Sequence, residues 1–363
     1  MREKAVFLLS LFLTMSGGVA ADFAELSARA AAALAAEKLP EALQLYRQAL
    51  QLKPDWAEGW WFAGIISYDS GQFADGRQAF SRLIALNQNS APGLAFLGLC
   101  EFETGAYDAA LDHIERGLEL SGGGPPAARE VLRYHQALLL TRQRKWDQAR
   151  LLYREFVQRG VQNPELLAGI GINALERPLL PTEVRQDQQV VMMMAGTAVW
   201  FWMSGDEGKS ASAFRDLLAR YPSTPGVHYL YATYLLSLDR QEPGMAELKR
   251  ELALDPANPS AESAMALALL QADKPSEALA LAKAAAASPS PGARILYSYG
   301  LALSKTGSLP EAARQLEAAE RLDPRNLGVH IALAGLYSQT GRNDQARQER
   351  ITSMALAKGN ETH

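Results

Sequence analysis

Apolar residues recur along most of this chain at i, i+3, i+4 and i+7, in short blocks separated by polar turns. That spacing puts them on one face of a helix. Gly71, Gly105, Gly205, Gly307 and Gly341 fall between blocks, where a glycine stops a helix. No stretch alternates strictly between apolar and polar, so no sheet is predicted. The blocks are themselves periodic. Pro222 and Pro256 are 34 residues apart, and Pro256 and Pro324 are twice that. A register of 34 then fits 23–56, 57–90, 91–124 and 130–163, and without interruption 191–224, 225–258, 259–292, 293–326 and 327–360.

Each unit reads as a pair of helices. The eighth residue is small throughout: Ala30, Gly64, Gly98, Ala137, Ala198, Ala232, Ala266, Gly300 and Ala334. A small side chain there lets the two helices of a pair approach closely. In the second helix a small residue is followed four positions on by a larger one, as in Ala42 and Tyr46, Gly76 and Phe80, Ala110 and Ile114, Ala149 and Tyr153, and Ala312 and Leu316. With this spacing and these residues, the chain resembles the tetratricopeptide repeat family. The resemblance implies an all-α solenoid of about nine helix-pair repeats wound into a right-handed superhelix. One pair cannot bury its apolar face alone, so stacking completes the core.

Two segments depart from the register. Residues 164–190 begin like a first helix, with Leu167, Ile170, Gly171 and Ala174, but Pro178 and Pro181 bracket Leu179 and Leu180 where a second helix belongs. This irregular, truncated unit in the middle reads as a connector, a corner in the stacking or alternatively a hinge. The run Ser121–Pro126 is a flexible connection where the register slips. The expected layout is therefore a 1–21 leader, an N-terminal array over 22–163, the 164–190 connector and a C-terminal array over 191–363. In the last unit Arg347, Gln348, Glu349 and Arg350 replace apolar residues, as a solvent-facing end requires.

The leader reads by its pattern as a secretory signal peptide, with an uncleaved anchor as the alternative. A basic start at Arg2 and Lys4 precedes an apolar run from Ala5 to Met15, and Val19 and Ala21 suit a cleavage site. The run is shorter than the ~20 residues a spanning helix needs. The chain is then expected to be exported: periplasmic or envelope-located in a Gram-negative bacterium, otherwise secreted. The single cysteine, Cys100, excludes an intramolecular disulfide and reads as a small buried hydrophobe. Against 36 basic residues stand 40 acidic ones, so a nucleic-acid partner is not expected.

Catalytic patterns are missing. The histidines His113, His135, His228, His330 and His363 are too far apart for a paired-histidine metal motif. His228 and His330 occupy the same repeat position and read as packing residues. Gly205–Ser210 lacks the glycine spacing and the preceding strand of a phosphate loop. No enzyme activity, cofactor or metal is expected. Val190–Met203 is the most apolar internal run and reads as a buried first helix, although its methionines and tryptophans also suit an adaptable binding surface.

The family binds peptides on the surface lined by first helices. Carried onto this sequence, the residues facing that groove include Trp61, Tyr68, Phe102, Tyr134, Trp202, Tyr229 and Tyr297, with polar Ser260 and Arg294 in later units. Several of these also suit packing between units. The Lys/Asn/Arg clamp that some members use for a terminal carboxylate is absent; Ser27, Ala31, Phe62, Pro92 and Phe96 stand at its positions. The resemblance thus implies a non-enzymatic scaffold that binds a protein or peptide partner, apolar or amphipathic, in a concave aromatic groove. The alternatives are a subunit peripherally associated with an envelope assembly or polysaccharide export machine, or a glycan binder or enzyme.

Overall fold

A computed structural model describes residues 22–120 and 126–361. The leader and its cleavage site, and Ser121–Pro125 of the connection, lie outside the described residues. Among those described there are nineteen α-helices and no strand. Contacts group the residues into Met1–Leu139 and Leu140–His363.

In the first unit three helix pairs follow one another: α1 (22–35) with α2 (Leu39–Leu52), α3 (Ala57–Asp69) with α4 (Phe73–Leu86), and α5 (Ala91–Glu103) with α6 (Tyr107–Leu120). The next helix, α7 (Pro126–Arg142), runs across the division. The small eighth position explains why the pairs are close. A methyl group on Gly64 would lie 2.7 Å from the Phe80 ring, and one on Gly98 2.7 Å from Ile114. Phe80 and Ile114 are fully buried, so the glycines are the holes these side chains fill. Cys100 is buried against Gly76, as its sequence context predicts. Burial pushes its thiol up to about 12.

The second unit begins with α8 (Trp146–Gln158) and α9 (Pro164–Ala174). Five pairs follow: α10 (Gln186–Met203) with α11 (Glu207–Arg220), α12 (Val227–Ser237) with α13 (Gln241–Leu254), α14 (Pro259–Gln271) with α15 (Pro275–Ala286), α16 (Ala293–Lys305) with α17 (Leu309–Leu322), and α18 (Leu327–Gln339) with α19 (Asn343–Glu361). Asn258 and Asn326 cap α14 and α18 by accepting from the Ala261 and Val329 amides.

Between α9 and α10 there is a single 3-10 turn, Pro181–Glu183, and no second helix. Two first helices therefore pack directly on each other. Their crossing is built on glycine. A Cβ on Gly171 would lie 1.8 Å from the Met192 carbonyl oxygen, and one on Gly196 1.8 Å from that of Leu167. Backbone meets backbone there, which no other residue type permits.

The turns inside the pairs share one conformation. Gly71, Gly105, Gly205, Gly307 and Gly341 all have φ between 70° and 89°, the left-handed ending that the glycine pattern predicts. Glu37, Arg144, Asp239 and Asp273 adopt it too, with φ of 55–61°. The sequence offers no such signal at these four, because the fold imposes the turn regardless of the side chain.

Candidate binding surfaces

All seven aromatic residues singled out above lie on first helices: Trp61 and Tyr68 on α3, Phe102 on α5, Tyr134 on α7, Trp202 on α10, Tyr229 on α12 and Tyr297 on α16. Six are half-buried and Tyr229 is buried. In the first unit Trp61 and Tyr68 meet through Phe96, with ring centroids 5.7 and 5.2 Å away. Phe96 in turn stacks on the buried Phe80 at 5.4 Å. Farther on, Phe102 stands edge-on to His135 at 4.7 Å, and His135 contacts Tyr134. Trp61, Tyr68, Phe102 and Tyr134 are thus each packed against a neighbouring ring while remaining half-buried. Edge-to-face contacts of this kind add ~0.5–1.5 kcal/mol beyond burial.

In the second unit Trp202 packs on Phe214 and Tyr234, and it shares the lining of a cavity of about 60 Å³ with Tyr229. Tyr297 lies on α16, apart from both, with its hydroxyl 3.0 Å from where a Cβ on Gly328 would stand. The Met-rich α10 is not buried all round. Val190, Met193 and Met194 line an open cleft of about 470 Å³ beside Asp216, while Val191, Met192, Ala195 and Val199 face the core.

A second cavity shares Arg294 with the Trp202–Tyr229 one and mixes charged with apolar lining. Arg294 donates to the Tyr229 hydroxyl at 2.5 Å, and its guanidinium lies 5.7 Å from the Tyr229 ring centroid. Its other neighbour is Glu176 Oε1, 3.6 Å away, too far for a hydrogen bond. Asp147 accepts from Arg150 at 3.0 Å. Arg294, Glu176 and Asp147 line one chamber of about 580 Å³, together with Ser260, Asn258 and Arg144.

The charges in this chamber are held in unusual states. Burial raises the Glu176 carboxyl, against the pull of Arg294 and Ser260. Asp147 is lowered: burial works to raise it, but the Arg294 and Arg150 charges overcome that. Burial pushes the Tyr229 phenol up to about 12, against the pull of Arg294. Burial opposes the Arg294 charge, but Tyr229, Asp147 and Glu176 together hold it above its ordinary value. Glu176 Oε1 is buried and has no hydrogen-bond partner. The Arg294 charge is what faces this oxygen.

Arg294 and Ser260 carry the groove register in the sequence. Asp147 and Glu176 do not, because they come from the start of a second helix and from a turn. The histidines do more than the sequence reading gave them. His228 and His330 are buried at 6% and 3%, as packing positions are, but they also act as polar brackets. In each, Nδ1 lies 2.6 Å from a glutamate oxygen (Glu247 or Glu349) and Nε2 2.8 Å from a proline carbonyl (Pro222 or Pro324). Glu349 therefore points inward and is not part of a solvent-facing end, whereas Ile351 and Met354 on the same helix are exposed.

The tetratricopeptide repeat family matches residues 27–91, 63–125 and 303–349. These segments carry tetratricopeptide repeats. The family is generally one of non-enzymatic, protein-interaction scaffolds. Among curated proteins none matches the sequence. Solved structures similar to it include PilW, a type IV pilus biogenesis factor, at 16% identity and a TM-score of 0.42, covering 48% of this chain and 80% of that one. MamA from Desulfovibrio magneticus RS-1 is similar at 18% identity and 0.38, over 47% of this chain and 96% of that one. Yeast Tom70 is similar at 14% identity and 0.35, over 92% of each.

Proposed function

We propose that this tetratricopeptide-repeat chain is an exported scaffold that binds an apolar or amphipathic protein segment on its first-helix surface. The observation that carries the reading is the state of the seven aromatic positions. Six are half-buried, and Trp61, Tyr68, Phe102 and Tyr134 among them are packed against a neighbouring ring. Rigid, half-exposed aromatics lose little side-chain entropy on binding and commonly dominate interface energy. In the second unit the chamber that shares Arg294 with the Trp202 cavity adds a directional element. There Arg294 would meet an acceptor from the partner.

Export rests on the leader sequence. The mature chain is expected to begin at Ala21 or Asp22, and intact mass of the native protein reads this directly; retention of Met1 refutes cleavage. The binding reading is tested by in-cell crosslinking and capture, with the native chain beside a variant carrying Trp61→Ala, Phe102→Ala and Trp202→Ala whose helicity matches the native chain. A partner captured by the native form and lost in the variant supports the first-helix surface. Equal capture places binding elsewhere.

A further inference from the structure

The two histidine brackets are internal copies of one device, 102 residues or three repeats apart. Their differences are informative. Around His228, the second oxygen of Glu247 is neutralised by Arg250, an ion pair on the same helix. In the copy around His330 the residue in register with Arg250 is Thr352, so that cation is gone. Where Leu218 stands in register for the first copy, Glu320 stands in the second. These two exchanges remove a cation from beside the glutamate and add an acid beside the histidine, while Arg321 stands where Ala219 does and Arg350 where Leu248 does.

The extra carboxylate reaches the histidine. Glu320 Oε1 lies 3.9 Å from His330 Nδ1, and Glu349 Oε2 lies 2.6 Å from the same nitrogen. One ligating atom from each of the three residues falls within 4.8 Å of the others. The elements hold them from three sides: α17 supplies Glu320, α18 His330 and α19 Glu349. His330 Nε2 is tied to the Pro324 carbonyl at 2.8 Å. That outer hydrogen bond is what orients a metal-binding imidazole, leaving the other nitrogen for the ion. The side chains of His330 and Glu349 are 4% and 12% exposed, and that of Glu320 is 33% exposed, which leaves an entry path. The other charges around Glu320 are Glu317 and Arg321, while Arg350 on α19 is engaged with Ser338.

We propose that Glu320, His330 and Glu349 form a binding site for a divalent cation of the zinc type. One imidazole and two carboxylates make a donor set that suits zinc, with a fourth position left to water. The cation would take the place of the proton shared between His330 Nδ1 and Glu349, and that proton would leave to solvent. Sequence spacing does not reveal such a site, since the three residues come from three helices and no two are within four positions.

The test uses the purified full-length chain and zinc chloride alone, by equilibrium dialysis and by thermal unfolding with and without metal. Cobalt(II) supplies a visible absorption spectrum as a second readout. The variant is Glu320→Leu, which reproduces the residue in register in the His228 bracket, with the isosteric Glu320→Gln as a second in case the first misfolds. The native chain is expected to take up one zinc per chain and to unfold at a higher temperature with it, as binding to the folded state requires. Either Glu320 variant should weaken uptake by roughly tenfold or more and lose the cobalt spectrum. His228→Gln should leave both unchanged. Absence of one-site uptake by the native chain, or zinc uptake by both folded Glu320 variants equal to the native, would overturn the proposal.

Discussion

Changing Gly171 to Ala adds one methyl group at the tightest point of the fold, where two first helices meet without a second helix between them. The added Cβ would stand 1.8 Å from the Met192 carbonyl oxygen, and real Cβ contacts essentially never fall under 3.0 Å. The helices must therefore separate by more than 1 Å or bend. A radial gap of ~0.5–1 Å already forfeits a quarter to a half of each contact's dispersion energy. Overpacking into flexible side chains costs ~1–3 kcal/mol; a backbone carbonyl cannot swing aside, so the upper end applies. Against this stands the better helix propensity of alanine, ~1 kcal/mol. The net expectation is a loss of about 2 kcal/mol or more. Gly196→Ala meets the Leu167 carbonyl at the same 1.8 Å and should behave alike. Because both relieve one crossing, the double variant should cost less than the sum of the two. Gly335 is the control: it is an exposed glycine within α18 with nothing within 4 Å of an added Cβ, so Gly335→Ala should stabilise by ~0.4–1 kcal/mol. Urea unfolding followed by far-ultraviolet circular dichroism reads all four variants. If Gly171→Ala and Gly335→Ala shift the midpoint in the same direction, the direct α9–α10 crossing is refuted.

Other expectations are as specific. Arg294→Met should destabilise by about 1.5–3 kcal/mol, the worth of a hydrogen bond from a charged group, since it strips the Tyr229 hydroxyl of its donor and leaves Glu176 without the charge that faces it; a change below ~0.5 kcal/mol in urea unfolding would show that the chamber charges are solvated. Cys100 should resist a thiol reagent in the folded chain and react only on unfolding, because it is buried and its thiol is raised to about 12; fast stoichiometric labelling would contradict that burial. His113 is held above its ordinary value by its hydrogen bond to Glu101, so its stabilisation is fully present below about pH 6.5 and is lost as pH rises through the folded value. His113→Gln should flatten this part of the stability curve, and an unchanged difference between pH 6 and pH 8 would refute it. Glu37→Gly should stabilise modestly, by about 0.5–1 kcal/mol, because left-handed backbone costs a side chain ~1–2 kcal/mol and glycine returns part of that as entropy; loss of thermal stability would contradict the turn geometry.

Local rules were legible in the sequence, and convergence was not. The 34-residue register, the small eighth residue and the turn glycines each follow from contacts inside one helix pair, so spacing reveals them. Gly64 against Phe80 shows why: both partners of the contact lie in one unit. The truncated unit was visible through Pro178 and Pro181, but its consequence was not, because Gly196 lay hidden in an apolar run that reads as uniform core. Asp147, Glu176 and Arg294 come from three distant elements, and only the coiling of the second unit brings them to one chamber. The same holds for Glu320, His330 and Glu349. The groove aromatics sit between these cases. Their register predicted first helices correctly, yet whether a ring faces solvent or core depends on neighbours in other pairs, which is how Tyr229 came to be buried while Trp202 is not.

The central claim, that a partner segment is bound on the first-helix surface, is tested most directly by placing a photo-crosslinking residue at single sites in the chain inside cells. Trp61, Tyr68 and Trp202 are the first-helix sites; Gln51, Arg82 and Lys249, on the exposed sides of second helices, are the comparison. Crosslinks to one defined partner from the first-helix sites, and none from the second-helix sites, are the predicted result. The same partner crosslinking from the second-helix sites alone would contradict it.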